Sequence, residues 1–547
     1  QPAAPPPPPP SLFDALVLPG HTLHAALGAL ALLIGLFLHC RRRHHRPERF
    51  NRVAGALPLL GNAHQLGRMQ NFSKRLESWL DEYGGDEGVC ECDIMGVRYV
   101  LVGGVTPILE LMRQRPDRLR RAKAFGPLVR DGIDSVLTAE GKLWRAQRRV
   151  FSPAFSHNHM QGYLPAIKCV AKRLVAKWEN GPGCCEWGGK HPGQPINRDF
   201  SCVAADVISL IAFTFDFDSL RSKVALSEDL IHFFDVLQLR ILFFYVFRYW
   251  EWPFGTFIDG GGPLVRRILS GISKIVSRDP ATIDEVRKDI GLGNGSTVLD
   301  IMLSKVVADA QRTPKSETNQ LFGHTQLVSN LAVTFLAGTD TTSTTLTWML
   351  YHLSRDEGLQ SECAAEALSF DLEAASEPEI VAKLRTLRSL NIEVNRVQGP
   401  ASFLIFEAAK GHTVTLCGRT IRPPEEEGPM VICTMLTYAN RTREAGKRQG
   451  ISDPGSFDPR RWLQPDGTVR QPHPDAFFSF GHGMRVCPGR ELSNLEAIVT
   501  AAYLLRAFEI RMPKDHPEVR TATSATDGPD IPIHLLLTHR SKTQQAV

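Results

Sequence analysis

The stretch that most restricts how this chain can fold is residues 477–491, FFSFGHGMRVCPGRE, which runs directly into the helical pattern LSNLEAIVTAAYLLRAF. It sets one cysteine, Cys487, among Gly481, Gly483 and Gly489, just ahead of a helix N-terminus. Glycine reaches backbone angles closed to other residues, so such a loop folds tightly with amide N–H groups aimed at the sulfur. The positive end of the following helix favours the thiolate over the thiol. Arg485 is placed to give a planar, charge-assisted bond to an acidic group. A cysteine standing alone is usually an inert buried residue; the neighbours of Cys487 argue otherwise. No second Cys or His lies nearby at ligand spacing, which argues against a structural zinc site, and His482 reads as an exposed loop residue.

A second stretch, Leu327–Ser354, reads LVSNLAVTFLAGTDTTSTTLTWMLYHLS, apolar at both ends and polar at Gly338, Thr339, Asp340, Thr341 and Thr342. Glycine and clustered threonines are poor helix formers, and threonine hydroxyls bond back to preceding carbonyls and bend a helix. Asp340 interrupts the apolar run and excludes a membrane span here. One reading is a buried helix with satisfied threonines. The sharper one is a widened turn that holds water and passes protons into a site, for which a carboxylate beside a hydroxyl is suited.

The array Phe480-x-x-Gly483-x-Arg485-x-Cys487-x-Gly489 resembles the haem-binding loop of the cytochrome P450 family at every position, and Ala337–Thr342 is similar to that family's distal-helix signature. The resemblance implies haem b with Cys487 as axial iron ligand, Asp340 and Thr341 as the proton-delivery pair, and Gly338 leaving room for substrate and O2. It also implies a mainly α fold with a minor β part, a triangular helical domain with haem between the distal helix and the cysteine loop with its following helix. The threonine favours O2-dependent oxidation over the family's peroxide-rearranging or dehydrating members.

Three further elements support it. Trp144 and Arg148 share a helical face and resemble the family's propionate-binding pair, flanked by Ala139-x-Gly141 and Pro153-x-Phe155. Glu393 and Arg396, with Arg461 of FDPRRW (residues 457–462), are similar to a structural Glu-Arg-Arg triad beneath the cysteine loop. Arg145 and Arg149, on other faces, are candidates for docking an acidic reductase. One departure stands out: where the family supplies another propionate-binding arginine, residues 401–412 read ASFLIFEAAKGH, with Lys410 as the nearest cation. Residues 399–450 match the family poorly, and Asn440-Arg441-Thr442 stands in place of a His-Arg-Asp-like step.

Upstream, residues 22–40 form an uncharged apolar run followed by Arg41, Arg42, Arg43, Arg46 and Arg49. Its length suits a single membrane span, and the basic flank stays cytoplasmic. A cleaved signal peptide is the competing view, but its basic region would precede the apolar run. The expected organisation is a Pro-rich tail at 1–15, an anchor at 16–40, a basic linker at 41–57 and a catalytic domain at 58–547. Helical patterns at Leu76–Tyr83, Leu143–Phe155, Ile167–Trp178 and Ala204–Phe213 outnumber strand-like runs such as Arg98–Val102 and Met430–Cys433.

The net charge of +5 gives no reason to expect a nucleic-acid partner, and eleven scattered cysteines do not form a disulfide framework. The three sequons at Asn71, Asn294 and Asn440 are then chance. Phe125–Leu137 resembles the loop that covers the haem, and the aromatic-rich Phe233–Phe257 suggests an apolar substrate. The expectation is an endoplasmic-reticulum-anchored, cytosol-facing haem-thiolate monooxygenase. It takes electrons from NADPH through a separate NADPH–cytochrome P450 reductase, with cytochrome b5 as a further donor. A haem-thiolate isomerase or dehydratase without redox partner, and a non-catalytic haem- or ligand-binding protein, remain the alternatives.

Overall fold

The computed structural model describes residues 49–121, 126–181, 193–222, 261–293, 296–312, 321–523 and 526–540, with scattered positions between 226 and 236. The predicted tail and anchor lie outside these residues, as does most of Phe233–Phe257. Among the described residues no helix is long and apolar enough to cross a membrane.

The helices that frame the site are Phe72–Tyr83 (α1), Val105–Arg113 (α2), Gly141–Phe151 (α3), Met160–Glu179 (α4), Asn197–Phe213 (α5), His324–Leu353 (α6), Arg385–Gln398 (α7) and Arg490–Ala507 (α8). Helix α6 is the axis of the molecule. Its apolar ends are buried on all sides, and α5 packs along it, with Phe213 stacked on Phe335 at 6.2 Å. A Cβ at Gly338 would meet Ile208 of α5 at 3.1 Å, so the glycine permits this close approach. Helix α8 packs against α4 and α6, and Trp178, Trp348, Phe200 and Phe335 fill the space between the helices at under 2% exposure. Burying each such side chain contributes roughly 1.5–3 kcal/mol, which explains how threonine-rich α6 stays helical against its own propensities.

A six-stranded sheet flanks the helices: Asn51–Arg52 (β1), Val89–Ile94 (β2) and Val97–Val102 (β3), followed in space by Met430–Met435 (β6), Phe403–Ala408 (β5) and Leu119–Arg121 (β4). Strands β3 and β6 run parallel, whereas β5 is antiparallel to both β6 and β4, with Arg121 opposite Phe406. A C-terminal pair, Phe508–Arg511 (β7) and His534–His539 (β8), closes against α8.

Within the predicted basic linker, β1 pairs with β2, and the flanking Phe50 and Val53 are buried. One expectation is corrected here. The widened turn in the distal helix is not formed. Helix α6 is an unbroken α-helix in which Thr334, Thr339, Thr345 and Thr347 donate to the carbonyl one turn back, so the threonines are satisfied without opening the helix.

Candidate active site: a thiolate cradle beneath an open helix face

Cys487 lies on a loop whose shape is held by three backbone bonds. The Gly481 N–H donates to Phe478 O (2.7 Å), the Val486 N–H to Gly483 O (3.1 Å) and the Cys487 N–H to Phe480 O (2.8 Å). Gly481 and Gly483 take φ of 75° and 72°, where a side chain would be strained. Gly489 does not: its φ is −78°, and what the glycine secures is space, since a Cβ there would stand 3.9 Å from the Cys487 sulfur. The Cys487 residue is open to solvent. Burial raises the thiol above its ordinary value, opposed by N–H donation from Gly489 and Arg490 and by the charges of Arg148 and Arg490. The sulfur thus has the donors a thiolate needs.

Beside this loop α6 presents its one opening. Between Leu327 and Tyr351 the residues that are not buried are Ala337, Gly338, Asp340 and Thr341. The Thr341 hydroxyl donates to Ala337 O at 2.6 Å. One residue on, Thr342 Oγ1 donates to Ser493 Oγ at 3.2 Å, tying the open segment of α6 to the first turn of α8 directly behind Cys487. The carboxylate and hydroxyl predicted to act together therefore stand at the opening.

Cations line the other side of the cysteine loop. Arg485 lies over the Trp144 ring, 4.4 Å from its centroid, and donates to Ala139 O and to the Glu140 carboxylate. Its side chain is 2% exposed, and its Nε and Nη1 are buried without a partner among the described residues. Burial, with Arg121 and Arg148 nearby, pushes this guanidinium down to about 10 despite Glu140. Arg148 donates to Val486 O at 2.7 Å, and burial lowers it while Cys487 supports it. Buried donors without acceptors are costly, and here they ask for an anion. Haem b would fit that demand: Cys487 would hold its iron, and Arg148 and Arg485, beside Trp144, would meet its propionates.

Glu393 and Arg396 form the most buried ion pair described, both side chains at 0% exposure, with Nη2–Oε1 at 2.7 Å and Nε–Oε2 at 2.9 Å. The Glu393 carboxylate also accepts from the Asp458 N–H (2.9 Å) and Trp462 Nε1 (2.8 Å), while Arg461 approaches it at 3.5 Å. Arg396 donates onward to the carbonyls of Asn440, Pro454 and Ser456. The predicted triad is thus brought together, with Trp462 as a fourth member that its motif contained without its role being read.

Asn440 is the functional residue that sequence reasoning missed. The structure makes it a latch: its side chain, 1% exposed, accepts from the Phe478 N–H (2.7 Å) and donates to Ser479 Oγ (2.9 Å) and Arg396 O (3.3 Å), joining α7 to the start of the cysteine loop. The signal was its position at the departure from the family pattern, which was read as a loss. Asn440→Ala is expected to cost about 1–3 kcal/mol, because it strands buried donors and acceptors, and to speed haem loss. Denaturant titration and haem-transfer kinetics check this.

Other expectations fare differently. Lys410 is exposed on the turn after β5 and points no charge into the site. Arg145 and Arg149 are half-exposed or more but are paired with Asp117 (2.7 Å) and Asp309 (3.2 Å). His482 contacts Asp475 at 3.0 Å and is partly covered. Among the described residues no cluster of His, Cys, Asp and Glu could hold a metal ion.

Fold and site define a haem-thiolate protein. A sequence model described as Cytochrome P450 matches residues 52–384 and 451–532, leaving out residues 385–450, among them Glu393, Arg396 and Asn440. The chain belongs to the cytochrome P450 family and is, at that level, a haem-thiolate monooxygenase. It is 27% identical to Cytochrome P450 734A2 of Oryza sativa subsp. japonica over 76% of this chain and 74% of that protein. It is 24% identical to the self-sufficient cytochrome P450 monooxygenase CYP505E3 of Phanerodontia chrysosporium over 87% of this chain and 41% of that one. The crystal structure of the cytochrome P450DA heme domain superposes with a TM-score of 0.70 at 21% identity, covering 91% of this chain and 99% of that domain.

Proposed function

We propose that this chain inserts one oxygen atom of O2 into an apolar organic substrate, by hydroxylation or epoxidation. Its electrons come from NADPH through a separate NADPH–cytochrome P450 reductase, with cytochrome b5 as a second donor. The observation that carries the reading is the opening in otherwise buried α6 at Ala337, Gly338, Asp340 and Thr341, tied by Thr342 and Ser493 to the helix behind the Cys487 cradle. When bound, thiolate-ligated haem supplies the oxidising chemistry. The protein's own work is to hold the thiolate with the Gly489 and Arg490 N–H groups, to move protons through Asp340 and Thr341, and to exclude bulk water with the apolar flanks of α5 and α6.

Residues 16–40 anchor the chain in the endoplasmic reticulum membrane, with Arg41, Arg42 and Arg43 keeping the catalytic domain in the cytosol; the support is the apolar run and its basic flank. Fusing residues 1–48 to a soluble reporter should carry it into the microsomal fraction, resistant to carbonate extraction. A reporter that stays in the supernatant removes the anchor.

Thr341→Ala tests the chemistry. Product formation should fall about 10²-fold while NADPH and O2 are still consumed and the haem spectrum is unchanged. Equal losses in consumption and product would remove Thr341 from proton delivery. Turnover by the parent without NADPH would point instead to an isomerase or dehydratase.

A further inference from the structure

The hairpin formed by Thr521–Thr523 and Asp527–Pro529 lies on α6 just past its opening. Ala337 and Thr344 are two helical turns apart and so share the face that opens. Thr344 Oγ1 stands 3.3 Å from Thr526 Oγ1, and one turn further on Trp348 Nε1 donates to Asp527 O at 3.4 Å. The hairpin therefore bounds the opening on that side.

Asp527 is the residue through which the hairpin is held. It is 4% exposed, and its backbone N–H donates to Pro400 O at 2.8 Å. Ser73 of α1 donates to its Oδ2 at 2.7 Å, and the Ser402 side chain bonds the same carboxyl. Behind Ser73 the bonds form a directed chain. The Ser73 N–H donates to Thr523 Oγ1 at 3.0 Å, which leaves the Thr523 hydroxyl to donate to Ser73 Oγ at 2.7 Å. Each hydroxyl carries one proton, so the chain runs toward Asp527 and ends on it as an acceptor. One side chain thus joins α1, the turn before β5, α6 and the hairpin.

Burial pushes this carboxyl up to about 6, opposed by the Ser73 and Ser402 bonds. On α1, Glu77 raises it further and Lys74 opposes; these two pair at 3.0 Å, and Glu77 also holds Arg441. The groups that reach it from the other elements, Pro400, Ser402, Thr523 and Trp348, carry no charge. The bonds favour the carboxylate and burial favours the acid, and burial is the larger. Folding raises the group above its ordinary value, so its hold on the junction is complete with the carboxyl neutral and weakens as pH rises through about 6.

We propose that Asp527 is a positioning residue for this site: by bonding Ser73 and Ser402 it sets the hairpin against α6, and so fixes the size of molecule admitted at Ala337–Thr341. It acts through the hairpin and touches no reacting atom. This rests on the haem reading above.

Neutral isocyanides bind ferrous haem and do not titrate in this range, so two of different size report the opening alone. Full-length, haem-loaded parent, Asp527→Ala, Asp527→Asn and Ser73→Ala are titrated with methyl and cyclohexyl isocyanide from about pH 5 to about pH 8, followed in the Soret region. The parent's cyclohexyl-to-methyl affinity ratio should step with a midpoint at about 6. Asp527→Asn, uncharged throughout, should keep the parent's acid-side ratio without a step. Ser73→Ala, which removes a donor to the carboxylate, should move the step to higher pH. Asp527→Ala should change the ratio about fivefold at every pH. Equal pH profiles in parent and Asp527→Asn would overturn the assignment, as would a parental ratio in Asp527→Ala. If Asp527→Ala does not fold, Asp527→Asn decides alone: a lost step supports the assignment and a retained one overturns it. The ferrous–CO spectrum keeps the two levels apart. A parent with a thiolate-type band but no Asp527 effect refutes only this inference, and a parent without that band refutes the haem reading beneath it.

Discussion

Cys487→Ser should abolish the strongly red-shifted Soret band of the ferrous–CO complex, leaving a protein of parental fold that binds haem weakly or without a sulfur ligand. The loop geometry predicts a clean substitution, because the backbone bonds among Phe478, Phe480, Gly481, Gly483 and Cys487 do not involve the side chain. What is lost is the anionic ligand that the Gly489 and Arg490 amides are aimed at. Loss of an outer-sphere partner typically costs about 10–100-fold in affinity or activity, so removing the ligand itself should cost more, taking product formation to background. Spectra of parent and variant, recorded with far-UV circular dichroism, check it. A parent band like that of histidine-ligated haem, unaltered in the variant, would refute the ligand assignment and the monooxygenase reading with it.

Arg396→Leu is expected to have the second large effect, on folding. It leaves the Glu393 carboxylate at 0% exposure without its principal cation, and leaves the carbonyls of Asn440, Pro454 and Ser456 short of a donor. Removing one partner of a buried pair costs roughly 3–5 kcal/mol, a large part of the roughly 5–15 kcal/mol that holds a domain together. The yield of haem-loaded protein should fall sharply, and its denaturant midpoint should drop. Whatever folds should still show the thiolate-type CO band, because Arg396 supports the cysteine loop without touching the sulfur. The double variant Glu393→Leu, Arg396→Leu should lose less than the sum of the single changes, since it leaves no unpaired charge. A single variant with parental stability would show that the pair is not what secures this layer.

Much of the site was legible because it is local in the chain. The cysteine, its glycines, Arg485 and the helix that follows lie within one short run, and the polar interruption of α6 is visible against its apolar flanks. Strands β2 and β5 were not legible. β2 reads VCECDI, and its acidic residues resemble a solvent-facing edge, whereas all six positions are buried, with Glu91 facing Arg98 at 3.8 Å. β5 was read as a stretch that had lost its arginine, because the sequence does not say which distant residue lies over Phe406. The role of Asn440 escaped for the same reason: its partners Phe478, Ser479 and Arg396 are remote in sequence and adjacent only in space.

The sequence by itself pointed to the family, to the cysteine loop, to the polar interruption of α6 and to the carboxylate–guanidinium pair. Each of these depends on spacing within a turn or a helix, where covalent geometry alone sets which side chains can meet. Tertiary structure alone decided how charge is balanced around the site. Hydrogen bonding and burial act through space, so whether a buried arginine such as Arg115 is satisfied, or an asparagine such as Asn440 is a latch, depends on segments that are separate in the chain and that only folding brings together.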